Sequence, residues 1–364
     1  MITIDLVTGF LGSGKTTFLR KYVKFLMAQG ENVCILENDY GAVNVDMMLL
    51  SDLIGDNCDI EMVAGGCDSD CHRRRFKSKL IEMGMIGYTH VIVEPSGVFD
   101  VDEFYDSLQE DPLNRWYKAG VQITIVDAGL RMPLSETSQY VFASEAANAG
   151  IILFSKTQLN PPEAPSNILK YLNASLEKIN CKRRFPEQDL LTDKKSSSQA
   201  DTQRNNSSDS KYQEISKENN SSTGDAFQES LHKEVLTKNW DDLTDEDFKA
   251  IENAGYKNYA FEKQQVMDEH KYESLYFMEK HFSVEEIKSK ASEAIKDPDC
   301  GGVIRIKGFL KDSKDSWMEI NVTKDDFKVA PVEAGQDIVI VIGEHLGKER
   351  LSEYFGEPAE IHAD

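Results

Sequence analysis

Eight residues near the start of the chain, GFLGSGKT from Gly9 to Thr16, have the types and spacing that hold a polyphosphate. Glycine at Gly9, Gly12 and Gly14 lets successive backbone N–H groups turn toward one anion with no Cβ in the way. A helix that begins near Lys15 aims the positive end of its dipole at the same point. Lys15 has the reach to place its ammonium on the β- and γ-phosphates, and the Thr16 hydroxyl can ligate Mg²⁺. Ser13 and Thr17 fall inside the same phosphate-binding stretch. A glycine-rich turn could match this pattern by chance, but an apolar strand precedes the loop and an amphipathic stretch follows it, the context the chemistry requires.

Four other clusters carry candidate chemistry. In VIVEPSGVFD, Glu94 and Gly97 follow an apolar run. A carboxylate at that strand end can hold a Mg²⁺-bound or attacking water, and a glycine N–H can contact the γ-phosphate. In ILENDYGAVNVD, Glu37, Asp39 and Asp46 follow the second apolar run. They read either as a loop that orders when Mg²⁺ and the γ-phosphate bind, or as a solvated acidic loop. In AGGCDSDCHRRR, Cys67 and Cys71 stand with Asp70 and His72. Two thiolates, a carboxylate and an imidazole within six residues suit Zn²⁺, Co²⁺ or Ni²⁺, with Glu37 as a further donor. The alternative is two buried cysteines and a helix start capped by Asp70. In LFSKTQL, Ser155 and Lys156 follow the sixth apolar run, where a base-binding loop would fall. Lys156 can lie over the base. Gln158 occupies the position from which a carboxylate would read a guanine, and it offers only an amide oxygen.

The elements that must position these groups follow from the hydrophobic pattern. ITIDLVTG, NVCILEND, DIEMVA, THVIVEPSG, VQITIVDA and NAGIILFSK read as strands separated by helical stretches, the first helix ending at Gly30. Near-continuous β-branched runs with helical crossovers demand a mostly parallel sheet covered on both faces. The fold class is therefore α/β: a P-loop NTPase domain over 1–185, followed by a smaller C-terminal α+β domain over 239–356 and a tail over 357–364. Residues 186–238 form a polar insertion whose stretch from 194 to 224 has almost no large apolar residue and is expected to be disordered. In the second unit YESLYFMEKHF, GGVIRIKGFL, SWMEINVT and QDIVIVIGEHL read as strands, and SVEEIKSKASEAIKD as a helix capped by Ser283.

Composition excludes several classes. In 364 residues, 41 Lys+Arg stand against 63 Asp+Glu, a net charge of −22. Such a surface repels nucleic acid and anionic lipid, so neither is an expected partner. No apolar run approaches the roughly 20 residues that span a bilayer, and the N-terminus reads as a strand, not a secretory leader. Six cysteines without a leader point to the reducing cytoplasm, as ligands or core residues.

GFLGSGKTT, ENDYG, GGCxxxC, EPSG, IVDA and SKTQ, in this order, resemble the CobW-type family of P-loop GTPases, relatives of the nickel-enzyme maturation GTPases. The resemblance continues at VIRIKGFL and IVIVIGEHL. It implies slow GTP hydrolysis, stimulated by metal or partner, that drives delivery of a transition metal as a metallochaperone, with Cys67 in the family's Gly-Gly-Cys motif. It implies a client metalloprotein or cofactor-assembly protein as partner, and it leaves room for a homodimer. The chain departs from the pattern in three places. The family's Gly-Gly-Cys-x-Cys-Cys has Ser69 and Asp70 at its second and third cysteines here, with Cys71 one position later; Ala42 replaces an acid after ENDYG; Gln158 replaces the base-selecting aspartate. ATP in place of GTP, as in an ATPase or small-molecule kinase, stays open, as does a nucleotide-gated adaptor without metal cargo.

Overall fold

The computed structural model describes residues 1–39, 49–64, 69–95, 101–186, 234–263, 272–312, 314–324, 326–332 and 335–359. The polar stretch 194–224 lies outside them. Strands β1 (Ile2–Gly9), β2 (Val33–Asp39), β3 (Cys58–Ala64), β4 (His90–Pro95), β5 (Tyr117–Asp127), β6 (Ile151–Ser155) and β7 (Val235–Leu236) form one sheet. Its order is β3-β2-β4-β1-β5-β6-β7, parallel throughout. The cause is legible strand by strand: β4 and β6 are buried at every residue, which only a sheet covered on both faces allows. Alternation then sorts the side chains. Val7, Ile35 and Ile92 face helix α1 (Lys15–Ala28), while Leu6, Leu36 and Val93 face α2 (Ser69–Ile86) and α3 (Val101–Gln109).

Helix α1 stops where the sequence says it should. Gly30 takes φ +90°, its N–H bonds Met27 O at 3.0 Å and the Glu31 N–H bonds Leu26 O at 3.2 Å, the paired closure of a left-handed C-terminal cap. Beyond the short α4 (Leu113–Trp116), helices α5 (Glu136–Ala147) and α6 (Ala164–Lys178) cover the β5–β6 side.

The domain boundary differs from the one expected at 239. Val235 and Leu236, inside the expected linker, pair with Ile152 and Leu153 as the last strand of the first sheet. Helix α7 (Asp245–Glu252) places Phe248 and Ile251 in one core with Phe18, Tyr22 and Phe25. Residues 234–263 thus return to the first unit. The strand is two residues long, too short for any period to show, and its neighbours lie far away in sequence.

The second sheet, antiparallel, has the order β11-β10-β9-β12-β8, with β8 (Tyr272–Met278), β9 (Gly302–Lys311), β10 (Trp317–Val322), β11 (Phe327–Pro331) and β12 (Ile338–Glu344). Helices α8 (Val284–Ala294) and α9 (Lys348–Phe355) cover one face. Ser283 caps α8 as expected, in a capping box with Glu286. Strand β11 has no counterpart among the expected elements. Among the described residues, no helix is long and apolar enough to cross a membrane.

Candidate functional site

The chemistry-bearing residues collect where the parallel strands end. Gly9 closes β1 opposite Ile125, Asp127 closes β5 opposite Ser155, and Glu37 on β2 stands in register with Glu94 on β4. Carboxyl ends of parallel strands form the crevice in which such sheets bind ligands.

The loop from Gly9 to Gly14 is built by backbone shape. Gly9, Gly12 and Gly14 have φ of +147°, +76° and +102°. A Cβ on Gly9 would lie 2.4 Å from the Ile125 carbonyl oxygen, so only glycine lets β1 turn this close to β5. Gly14 is the N-cap of α1 and supplies no side chain to the first turn, which also contains no acid. The first N–H groups of α1 therefore point outward with no built-in anion. Ser13 Oγ is 1% exposed and has no hydrogen-bond partner among the described residues. Lys15 folds back into the loop, its Nζ donating to Gly9 O at 2.9 Å. An orphaned hydroxyl, an uncapped helix start and a nearly buried ammonium fit a phosphate group. Thr16 is half-buried and Thr17 is exposed.

Glu37 and Glu94 are both buried, and alternation along β2 and β4 puts them on the face that α1 covers. Neighbouring strands lie about 4.8 Å apart, so two carboxylates in register repel unless a cation or proton stands between them. Helix α2, whose first turn contains Asp70, Cys71 and His72, covers the opposite face through Phe76, Leu80 and Met83. The side chains of Asp39, Asp70, Cys71 and His72 fall outside the described ones, and Asp46, Cys67 and Gly97 outside the described residues. Among the described residues, no group of three or more His, Cys, Asp and Glu could hold a metal ion. Cys34, Cys58, Cys181 and Cys300 are all buried, and burial pushes the thiols of Cys58 and Cys300 each up to about 11 and that of Cys34 higher still. Those three are poor sources of thiolate.

Lys156 joins the far side of the site to the phosphate loop. It takes φ +55° directly after β6, and its Nζ donates to Gly12 O at 3.1 Å and to Asp127 Oδ2 at 2.5 Å. Ser155 is buried beneath it, and Gln158 is exposed in the short turn Thr157–Leu159.

Three neighbours of the loop have no counterpart in the sequence reading. Glu145 on α5 is 1% exposed; burial pushes its carboxyl up to about 8 against the pull of Lys15 and the Gly9 N–H. Trp240 packs its ring 3.3 Å from where a Cβ on Gly14 would sit and lies edge-on to Phe18. Thr323, after β10, holds its methyl 4.0 Å from where a Cβ on Gly12 would sit. Nothing local marks them: SEAAN reads as a solvated helix, and the other two arrive from more than 200 residues away.

The family model described as CobW/HypB/UreG, nucleotide-binding domain, matches residues 3–186. The chain is 26% identical over 175 residues to the zinc chaperone YeiR of Escherichia coli (strain K12), covering 47% of this chain and 51% of that protein. It is 29% identical over 170 residues to the zinc chaperone YjiA of the same organism, covering 43% and 50%. It is 26% identical over 188 residues to the zinc-regulated GTPase metalloprotein activator 1 of Schizosaccharomyces pombe, covering 50% and 44%. The chain spans about half the length of the curated relatives it matches.

Proposed function

The chain belongs to the CobW/HypB/UreG family of nucleotide-binding domains, and from that premise we propose that it hydrolyses GTP and couples nucleotide state to the binding and delivery of a transition metal, zinc before cobalt or nickel. One observation carries the nucleotide half: the orphaned Ser13 hydroxyl and folded-back Lys15 stand at an uncapped helix start, on the sheet face that bears the Glu37–Glu94 pair. Lys15 meets the β- and γ-phosphates. Thr16 and Glu37 would hold Mg²⁺, which would neutralise charge on the phosphates. Glu94, assisted by Asp39, orients a water whose oxygen bonds the γ-phosphorus as the bond to the β–γ bridging oxygen breaks, leaving GDP and phosphate. Gly97 contacts the γ-phosphate, and Ser155, Lys156 and Gln158 line the base.

The names of the relatives support zinc as cargo. Burial holds the described Cys34, Cys58 and Cys300 as thiols, and the reading assigns thiolate ligation to Cys67 and Cys71 of the Gly-Gly-Cys segment, with Asp70 or His72 completing the set. A client metalloprotein receives the metal.

Hydrolysis of GTP and ATP should be run side by side in Mg²⁺, each with and without low micromolar Zn²⁺, Co²⁺ or Ni²⁺. The reading expects GTP preference, a zinc effect lost in the Cys67→Ser/Cys71→Ser variant, and a fall of about 10²–10³-fold in turnover for Lys15→Ala. ATP turnover indifferent to these metals would instead favour an ATPase or kinase and sink the chaperone reading.

A further inference from the structure

Behind the phosphate loop lies a carboxyl group that the chemistry above does not use. Glu145 is 1% exposed, and neither of its carboxyl oxygens has a hydrogen-bond partner among the described residues. A buried acid without donors is held neutral unless a nearby charge sustains it. The Gly9 N–H faces this carboxyl outside ordinary hydrogen-bond geometry, and the cation within electrostatic reach is Lys15.

The helix that carries Glu145 is fastened to the strand under the loop. The Glu145 backbone carbonyl accepts from Gln122 Nε2 at 2.8 Å and from Thr124 Oγ1 at 2.9 Å. The Thr124 hydroxyl in turn shares a hydrogen bond of 2.8 Å with Thr8, one residue before Gly9. The other charged groups brought against α5 are engaged elsewhere. Lys178 of α6 donates to Gln139, Glu344 of β12 accepts from Ser135 and Ser138, and Arg183 donates to the carbonyls of Ala147 and Ala149 while paired with Glu234. Lys15 is thus the charge to which Glu145 answers.

We propose that Glu145 is a positioning residue of the phosphate loop: its neutral carboxyl backs Gly9 and Lys15 when nucleotide is bound, and its ionised form belongs to the empty loop alone. This rests on the nucleotide-binding reading above. Lys15 has a single positive charge. In the empty loop it lies against Gly9 O, where it favours an ionised Glu145. A polyphosphate draws the ammonium to itself and adds negative charge in front of the loop, so a carboxylate behind it loses its counter-ion. Binding therefore selects the protonated carboxyl. Burial already pushes this group up to about 8 in the empty loop. Below that pH little changes on binding; above it, each binding event carries a proton in, and affinity falls by up to about tenfold per pH unit.

Calorimetric titration with GDP·Mg²⁺, which is not hydrolysed, tests this at pH 7.5, 8.5 and 9 in the wild type and in Glu145→Gln. With ionisation near 8 in the free protein, wild-type affinity should fall roughly eightfold from pH 7.5 to 9, and Glu145→Gln by less than about twofold. Titrating the wild type at pH 8.5 in two buffers of different ionisation enthalpy should show uptake of roughly three-quarters of a proton. This second measurement stands even if the variant does not fold, and a merely structural role would not produce it. Nucleotide binding without proton uptake, or with the same pH profile in both proteins, overturns the inference alone. No binding by the wild type at pH 7.5 removes the nucleotide reading and the inference with it.

Discussion

Gly9→Ala is the perturbation whose size can be worked most directly from the structure. The new Cβ would stand 2.4 Å from Ile125 O and 2.8 Å from Ser13 Oγ, where 3.4 Å begins ordinary contact. The serine can rotate away. The carbonyl belongs to β5, paired on both sides, and cannot, so β1 must retreat by about 1 Å at the point where the phosphate loop begins. Gly30→Ala is the control: it shares a left-handed φ, +90° against +147°, but nothing lies within 4 Å of its Cβ. Forcing an L-residue into that region costs about 1–2 kcal/mol at either site. Overpacking adds about 1–3 kcal/mol at Gly9 alone. Urea denaturation should thus show the Gly9 variant losing more stability than the Gly30 variant. Titration with a fluorescent GTP analogue should separate them further, because a 1 Å displacement of binding groups weakens function by about 10²-fold. Gly9→Ala with GTP affinity within twofold of wild type would refute the claim that β5 sets the shape of the loop. Equal affinity loss in both variants would mean general softening, not loop geometry.

Two further outcomes are expected. Burial opposes charge on His90, yet its 2.7 Å bond to Asp5 and the charges of Asp5, Glu31 and Glu252 hold its ionisation above the ordinary value. The stability this pair contributes is complete below about pH 6.5 and is lost as pH rises through the raised value, so denaturant midpoints should decline across that range in the wild type but not in His90→Gln; matching slopes would remove His90 as the cause. Trp240→Ala strips a half-buried ring from Gly14 and Phe18 and should destabilise by roughly 2 kcal/mol, and Trp240→Phe should abolish most of the change in tryptophan fluorescence on adding nucleotide; an undiminished change in that variant would place the responding ring elsewhere.

How much was legible without coordinates varies by residue. The backbone shape of the loop from Gly9 to Gly14 was legible, because its demands are local: glycine where φ must be positive, a strand before and a helix after. The same holds for the close of α1 at Gly30 and the cap at Ser283. Glu37 and Glu94 were each visible as acids that end apolar runs. That they stand in register on one face depends on β2 and β4 being neighbours. The return of 234–263 to the first sheet, with Trp240 against Gly14, was not legible, since a two-residue strand has no period.

By itself, then, the sequence determined the parallel sheet, the glycine-shaped turn after its first strand and the helix start that follows, because each follows from a period or a dihedral requirement confined to a few consecutive residues. Tertiary structure alone decided that Glu145 is buried within electrostatic reach of Lys15, that Thr323 stands near Gly12 and that α7 packs against α1. A buried acid in a helix carries the same local signature as a solvated one. Only its burial in the fold, with Thr124 holding its backbone carbonyl and Lys15 within electrostatic reach, makes it different.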